Sequence, residues 1–168
     1  KFKAFSGTGL GAGLGTGYGL GGFGSGVAAF DFFGIRGRGD RIAIMVDVSI
    51  SMVEDVRGGP AGYQRVRNRI DQVINELNEG AMFNVFVFAD AASSWQPEML
   101  VATEDNKTKA KQWLKPFNAA GNYGLTSGNL SPPSTTVQAV GGTTRLDLVL
   151  SAAFDQGADT ILVISDGL

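Results

Sequence analysis

The chain contains no cysteine and no histidine. The first absence excludes a disulfide framework, thiolate metal sites and a cysteine nucleophile. The second excludes Ser-His-Asp triads, zinc hydrolase centres and imidazole general bases. Charge is also sparse. Only 18% of residues are charged, and the formal net charge is −2. That balance argues against a phosphate-neutralising nucleic-acid binder and against a charge-rich disordered chain. There is no charge-free apolar run of membrane-spanning length, and no secretory leader pattern at Lys1. What remains for chemistry is carboxylates, hydroxyls, amides and backbone. At 168 residues with 43% hydrophobic content, the chain suits one domain with a sizeable core.

Glycine is the residue in excess, and it is concentrated. Eleven of residues 7–26 are glycine, and every odd position from Gly7 to Gly21 is one. An extended strand of this segment has one bare face and one apolar face. Glycine at every second position argues against a helix. The segment reads either as a flexible linker or as an assembly element that packs on the domain or on a neighbouring subunit. In the second reading Gly7, Leu10, Gly11, Leu14, Gly15, Tyr18 and Gly19 are the candidate assembly residues. An arm and transition over 1–39 would then precede a domain over 40–168.

Beyond a turn-rich stretch from Gly34 to Asp40, the pattern alternates between strands and helices. Arg41–Val48, Phe83–Ala89 and Thr160–Ser165 are apolar, β-branched or aromatic runs that predict buried parallel strands. Trp95–Ala102 predicts a further strand, at an edge because it contains Pro97. Tyr63, Val66, Ile70, Val73, Ile74 and Leu77 have helical spacing, with Arg65, Arg67 and Arg69 read as solvated. Thr103 is placed to cap a helix running to about Lys115. Residues 116–142 read as a long loop, and Thr144–Phe154 as a short amphipathic helix. Strands alternating with helices give a parallel α/β sheet. The apolar run that ends just before Leu168 leads us to expect a natural chain that continues, with its last strand otherwise an exposed edge.

Three short motifs fall where such a sheet puts its sites, at the carboxyl ends of strands. They are Asp47-Val48-Ser49-Ile50-Ser51, Gly141-Gly142-Thr143 and Asp166-Gly167. Two carboxylates and three hydroxyls are hard oxygen ligands that suit Mg²⁺. Asp47, Ser49 and Ser51, two apart, share one side of an extended turn.

These residues resemble the metal-ion-dependent adhesion site of the von Willebrand factor A domain, over about residues 40–168. Phe32-Phe33-Gly34-Ile35 and the helix that follows Gly141 look like bacterial members, of the planctomycete and verrucomicrobial kind. The resemblance implies a Rossmann-like, doubly wound, mostly parallel sheet flanked by helices. It implies a metal bound directly by Ser49 and Ser51, directly or through water by Thr143, and directly or through water by Asp47 and Asp166. Mg²⁺ is the expected ion, with Mn²⁺ or Ca²⁺ as alternatives. A partner protein's Asp or Glu would fill the open coordination position, as an underneutralised cation favours.

The expected function is therefore metal-dependent protein binding or adhesion. The alternative is a structural subunit of a homo-oligomeric assembly or filament, packed through the glycine-rich arm. An enzyme is not expected: a haloacid-dehalogenase-like phosphohydrolase needs a second Asp where Ser49 stands. The GxGxxG within Gly17–Gly22 lacks a preceding strand and is rejected as a dinucleotide site. Arg38-Gly39-Asp40 and the sequons at Asn106 and Asn129 are read as chance matches. Localisation is read as cell envelope or extracellular, with cytoplasmic as the alternative.

Overall fold

Strand β3 (Arg41–Asp47) organises the molecule, and its sequence explains why. Its even-numbered residues Ile42, Ile44 and Val46 pack into one hydrophobic cluster, and Ala43 and Met45 into another. A strand apolar on both faces must lie inside a sheet covered on both sides. The computed structural model describes residues 28–119, 135–138 and 144–165. The arm residues Gly7, Leu10, Gly11, Leu14, Gly15, Tyr18 and Gly19 lie outside these, as do Thr143 and Asp166.

Parallel pairing joins β3 to β4 (Met82–Phe88) on one side and to β8 (Thr160–Ile164) on the other. β4 continues into β5 (Ala91–Ser94) and β6 (Leu100–Val101), both antiparallel to it. β7 (Thr135–Gln138) adds antiparallel outside β5. The order is thus β7-β5-β4-β3-β8.

Helices α1 (Gly59–Glu76) and α2 (Glu104–Leu114) cover one face with Ile70, Val73, Ile74, Trp113 and Leu114. Helix α3 (Leu146–Asp155) covers the other with Val149 and Ala153. The result is a three-layer α/β fold with parallel central strands, consistent with a Rossmann-like von Willebrand factor A architecture. Among the described residues no helix is long and apolar enough to cross a membrane.

Several expectations are corrected. The stretch from Gly34 to Asp40 is not merely turns. Residues Ile35–Gly39 form β2, which pairs antiparallel with β1 (Ala28–Phe32). The turn between them places Phe33 at φ 50° and Gly34 at φ 86°, the left-handed pair that suits the twist of a two-residue hairpin. This hairpin is tied to α1 by Arg69, whose Nη2 donates to the Asp31 carbonyl.

Of the strand expected over Trp95–Ala102 only Leu100–Val101 forms, as β6 against β4, while the longer antiparallel partner of β4, β5, lies just before that stretch and is itself paired on its other side by β7. The supposed loop 116–142 thus contains a strand. Arg67, read as solvated, is only 8% exposed. By contrast Thr103 caps α2 as expected, its side chain accepting from the Asn106 amide at 3.2 Å.

Candidate metal and partner site

After β3 the chain runs back on one side to β4 and later returns on the other side to β8. The carboxyl end of β3 is therefore the point where the strand order reverses, where open α/β sheets hold their ligands. Asp47 is the last residue of β3 and is fully buried. A buried carboxylate must find donors. The Ser49 amide donates to its Oδ1 at 2.9 Å, and the Ser165 hydroxyl donates to its Oδ2 at 2.8 Å. The first bond folds the chain back on itself in an Asx turn. The second ties the ends of β3 and β8 together.

The turn then enters a 3₁₀ segment, Ile50–Val53, held down by the buried Met52 and Val53. Ser49 and Ser51 are half-buried, and their Oγ atoms lie 2.8 Å apart. Adjacent oxygens around an octahedral Mg²⁺ at ~2.1 Å are about 3.0 Å apart. The hydroxyl pair therefore matches two neighbouring positions of such a shell. Both Asp47 oxygens already accept a protein hydrogen bond, so its geometry suits holding a metal-bound water as well as direct ligation.

The backbone behind the hydroxyls is also fixed. The Ser49 carbonyl accepts from the Met52 amide at 3.2 Å and from Asn118 Nδ2 at 3.2 Å. The Ser51 carbonyl accepts from the Glu54 amide at 3.3 Å and from Arg57 Nη1 at 3.3 Å. Tyr63 of α1 is buried nearby. Burial pushes its phenol well above the ordinary range; the charge of Asp47 adds to this and that of Arg67 opposes it. Tyr63 is thus a neutral wall.

Thr143 and Asp166 lie outside the described residues, but the chain is anchored two residues after the first and one residue before the second. The Arg145 amide donates to the Ala89 carbonyl, just past β4, at 2.7 Å. Ser165, next to Asp166, is the Asp47 donor. The structure thus brings Asp47, Ser49 and Ser51 together. Ser165 and Asn118 escaped the sequence reading. Ser165 left a signal as a hydroxyl closing an apolar strand beside a candidate ligand. Asn118 left none, because its positive φ of 51° is visible only in the fold.

The surface around the hydroxyls is apolar in part. Ile50, between the two serines, is 63% exposed, and Val56 is 86% exposed. Arg38-Gly39-Asp40 by contrast closes β2 against β8: the Thr160 hydroxyl donates to the Arg38 carbonyl at 2.8 Å.

No family model matches the chain. A stretch of 79 residues, 46% of the chain, is 27% identical to human inter-alpha-trypsin inhibitor heavy chain H4, a von Willebrand factor A-containing protein. The match spans 8% of that protein's length. The fold and this similarity together mark the chain as similar to von Willebrand factor A-like α/β domains.

Proposed function

We propose that this chain is a divalent-metal-dependent protein-binding module. The observation that carries the reading is the Ser49–Ser51 hydroxyl pair, 2.8 Å apart, beside a buried Asp47 at the reversal point of the sheet. Ser49 and Ser51 would hold Mg²⁺ directly. Asp47, Thr143 and Asp166 would complete the protein's share, directly or through water. Mn²⁺ or Ca²⁺ would use the same oxygens. A partner's Asp or Glu takes the remaining position, and Ile50 and Val56 offer that partner apolar contact at the rim. The similarity to a von Willebrand factor A-containing protein supports an interaction role. A serine at position 49, where a phosphohydrolase would need a second carboxylate, favours binding over catalysis.

The test is thermal unfolding with and without Mg²⁺, beside Asp47→Ala and Ser51→Ala. Binding to the native state at ten times Kd adds about 1.4 kcal/mol, or a shift of about 4 °C for a chain of this size. We expect that shift in the parent chain and its loss in both variants. A parent chain that melts at the same temperature with EDTA and with saturating Mg²⁺, Mn²⁺ or Ca²⁺ would overturn the reading.

A further inference from the structure

The two faces of the sheet are covered unequally. Among the described residues two helices lie on one face, while α3, ten residues long, lies on the other. Where α3 meets β5 the facing residues are small. Ala92 and Ser94 are two apart on β5 and so share a face, and Ser94 stands opposite Phe86, which belongs to the α3-side cluster. Ala152 comes from α3 itself. Small side chains under a short helix leave space between the layers. A cavity of about 240 Å³ results, walled by Phe86, Ala92, Leu148, Val149 and Ala152, with Ser94 among them.

Ser94 is only 6% exposed, yet its hydroxyl has no hydrogen-bond partner among the described residues. The neighbouring Ser93 lies on the other face, opposite Val87, and its Oγ is closed off there. The Ser94 Oγ is not closed off: it opens on the cavity side. A hydroxyl left unmet in an apolar wall is costly, so the site is completed by a group that pairs with it. Gln156, also in the lining, is already committed, accepting from Asn84 and donating to the Pro97 carbonyl. Asp155 is the one charged residue of the described lining, and it is exposed.

We propose that this cavity binds a small uncharged alcohol, its hydrocarbon body against Phe86, Leu148 and Val149 and its hydroxyl paired with Ser94 Oγ. Size follows from volume. An apolar cavity of about 150 Å³ takes one benzene, so this one has room for about ten non-hydrogen atoms. Class follows from the lining. A hydroxyl can donate to Ser94 or accept from it, whichever way that rotor points. A carboxylate would set its charge against Asp155. An ammonium gains little from Asp155, because that side chain stands in water. The proposal does not rest on the metal reading, and its test is run in EDTA.

The experiment is titration of the full chain with phenylpropanol, phenylpropylamine and phenylpropanoate, followed by backbone amide chemical shifts. Alongside the parent go Ser94→Ala, which removes the hydroxyl, and Ala152→Leu, which fills the space. Urea midpoints of both variants report that they fold.

We expect phenylpropanol to move amides of α3 and β5 saturably, with a dissociation constant of about a millimolar. The amine and the carboxylate should bind more weakly. Ser94→Ala should weaken the alcohol by about three- to tenfold. Ala152→Leu should abolish its binding at an unfolding midpoint equal to or above the parent's. Absence of saturable shifts, shifts centred on α1 and α2, an amine or carboxylate that binds as tightly as the alcohol, or an alcohol affinity untouched by either substitution would overturn the proposal.

Discussion

Asn84 sits fully buried in the middle of β4, where an apolar residue would be the default. Every hydrogen-bonding direction of its amide is used. Its nitrogen donates to the Gln96 carbonyl at 2.8 Å and to Gln156 Oε1 at 2.9 Å. Its oxygen accepts from the Val85 amide at 2.8 Å and the Gln96 amide at 3.2 Å. These bonds hold the interruption between β5 and β6, where Trp95 turns inward to stack on Phe83 with ring centroids 5.4 Å apart. Asn84→Ala would leave the Gln96 backbone groups without partners, so we expect a loss of about 2–4 kcal/mol. The midpoint of urea unfolding measures it. Asp71 gives the opposite sign. Burial raises its carboxyl pKa, against the pull of Arg67 and Lys111. The folded state then binds this proton more tightly than the unfolded chain, and stability falls as pH rises through the window above the ordinary aspartate range. Asp71→Asn should therefore match or exceed the parent in stability at pH 7, with its advantage shrinking as pH drops toward that window. Paired urea midpoints across pH check it, and a variant less stable at pH 7 would contradict the sign.

The hairpin of β1 and β2 meets the sheet at Gly39, which lies against Thr160 and Asp159 at the start of β8. A Cβ at Gly39 would overlap the side chains of both, and Asp159 Oδ2 is already committed to the amides of Asp40 and Arg41 at 2.9 and 3.2 Å. Gly39→Ala must push the hairpin away from β8, and we expect a cost of about 1–3 kcal/mol, read by chemical denaturation. Such details explain what the sequence could and could not disclose. Strands β3, β4 and β8 were legible because each is mainly apolar along its length, and β3 and β4 are covered on both faces. Helices α1 and α2 were legible from their spacing and from Thr103. The hairpin was not, because Arg36 and Arg38 alternate with glycines and mimic a polar turn. β7 was not, because Thr135 and Thr136 follow Pro132 and Pro133 in a stretch whose composition is that of a loop. Arg67 was misread because spacing alone cannot tell a snorkelling arginine from a buried one; the α2 carbonyl that receives it is 48 residues away. In the candidate site, Asp47, Ser49 and Ser51 were legible because their spacing is local. Asn118 and Ser165 act across the fold and had no local signature.

At the scale of the molecule, the two sides of β8 are unequal. One edge pairs with β3, while the other pairs with no strand among the described residues. On the faces the asymmetry repeats. Leu162 and Ile164 are buried toward α1, but Val163 is 40% exposed, and Phe154 of α3 is 64% exposed. An open strand edge beside exposed apolar side chains is a template for pairing with another chain. The 168-residue chain should therefore associate in a concentration-dependent way, and a charge on that strip should suppress it. We expect Val163→Lys to shift light-scattering mass toward the monomer without lowering the unfolding midpoint, because the side chain already meets solvent. Removing residues 1–26 separates this route from assembly through the glycine-rich arm. If association survives the truncation and disappears with Val163→Lys, the edge drives it. If the truncation alone yields monomers, the arm does, and β8 is an inert border. A parent chain that stays monomeric at high concentration would show that both surfaces are silent, and would leave the face around Ser49 and Ser51 as the surface on which a partner is to be sought.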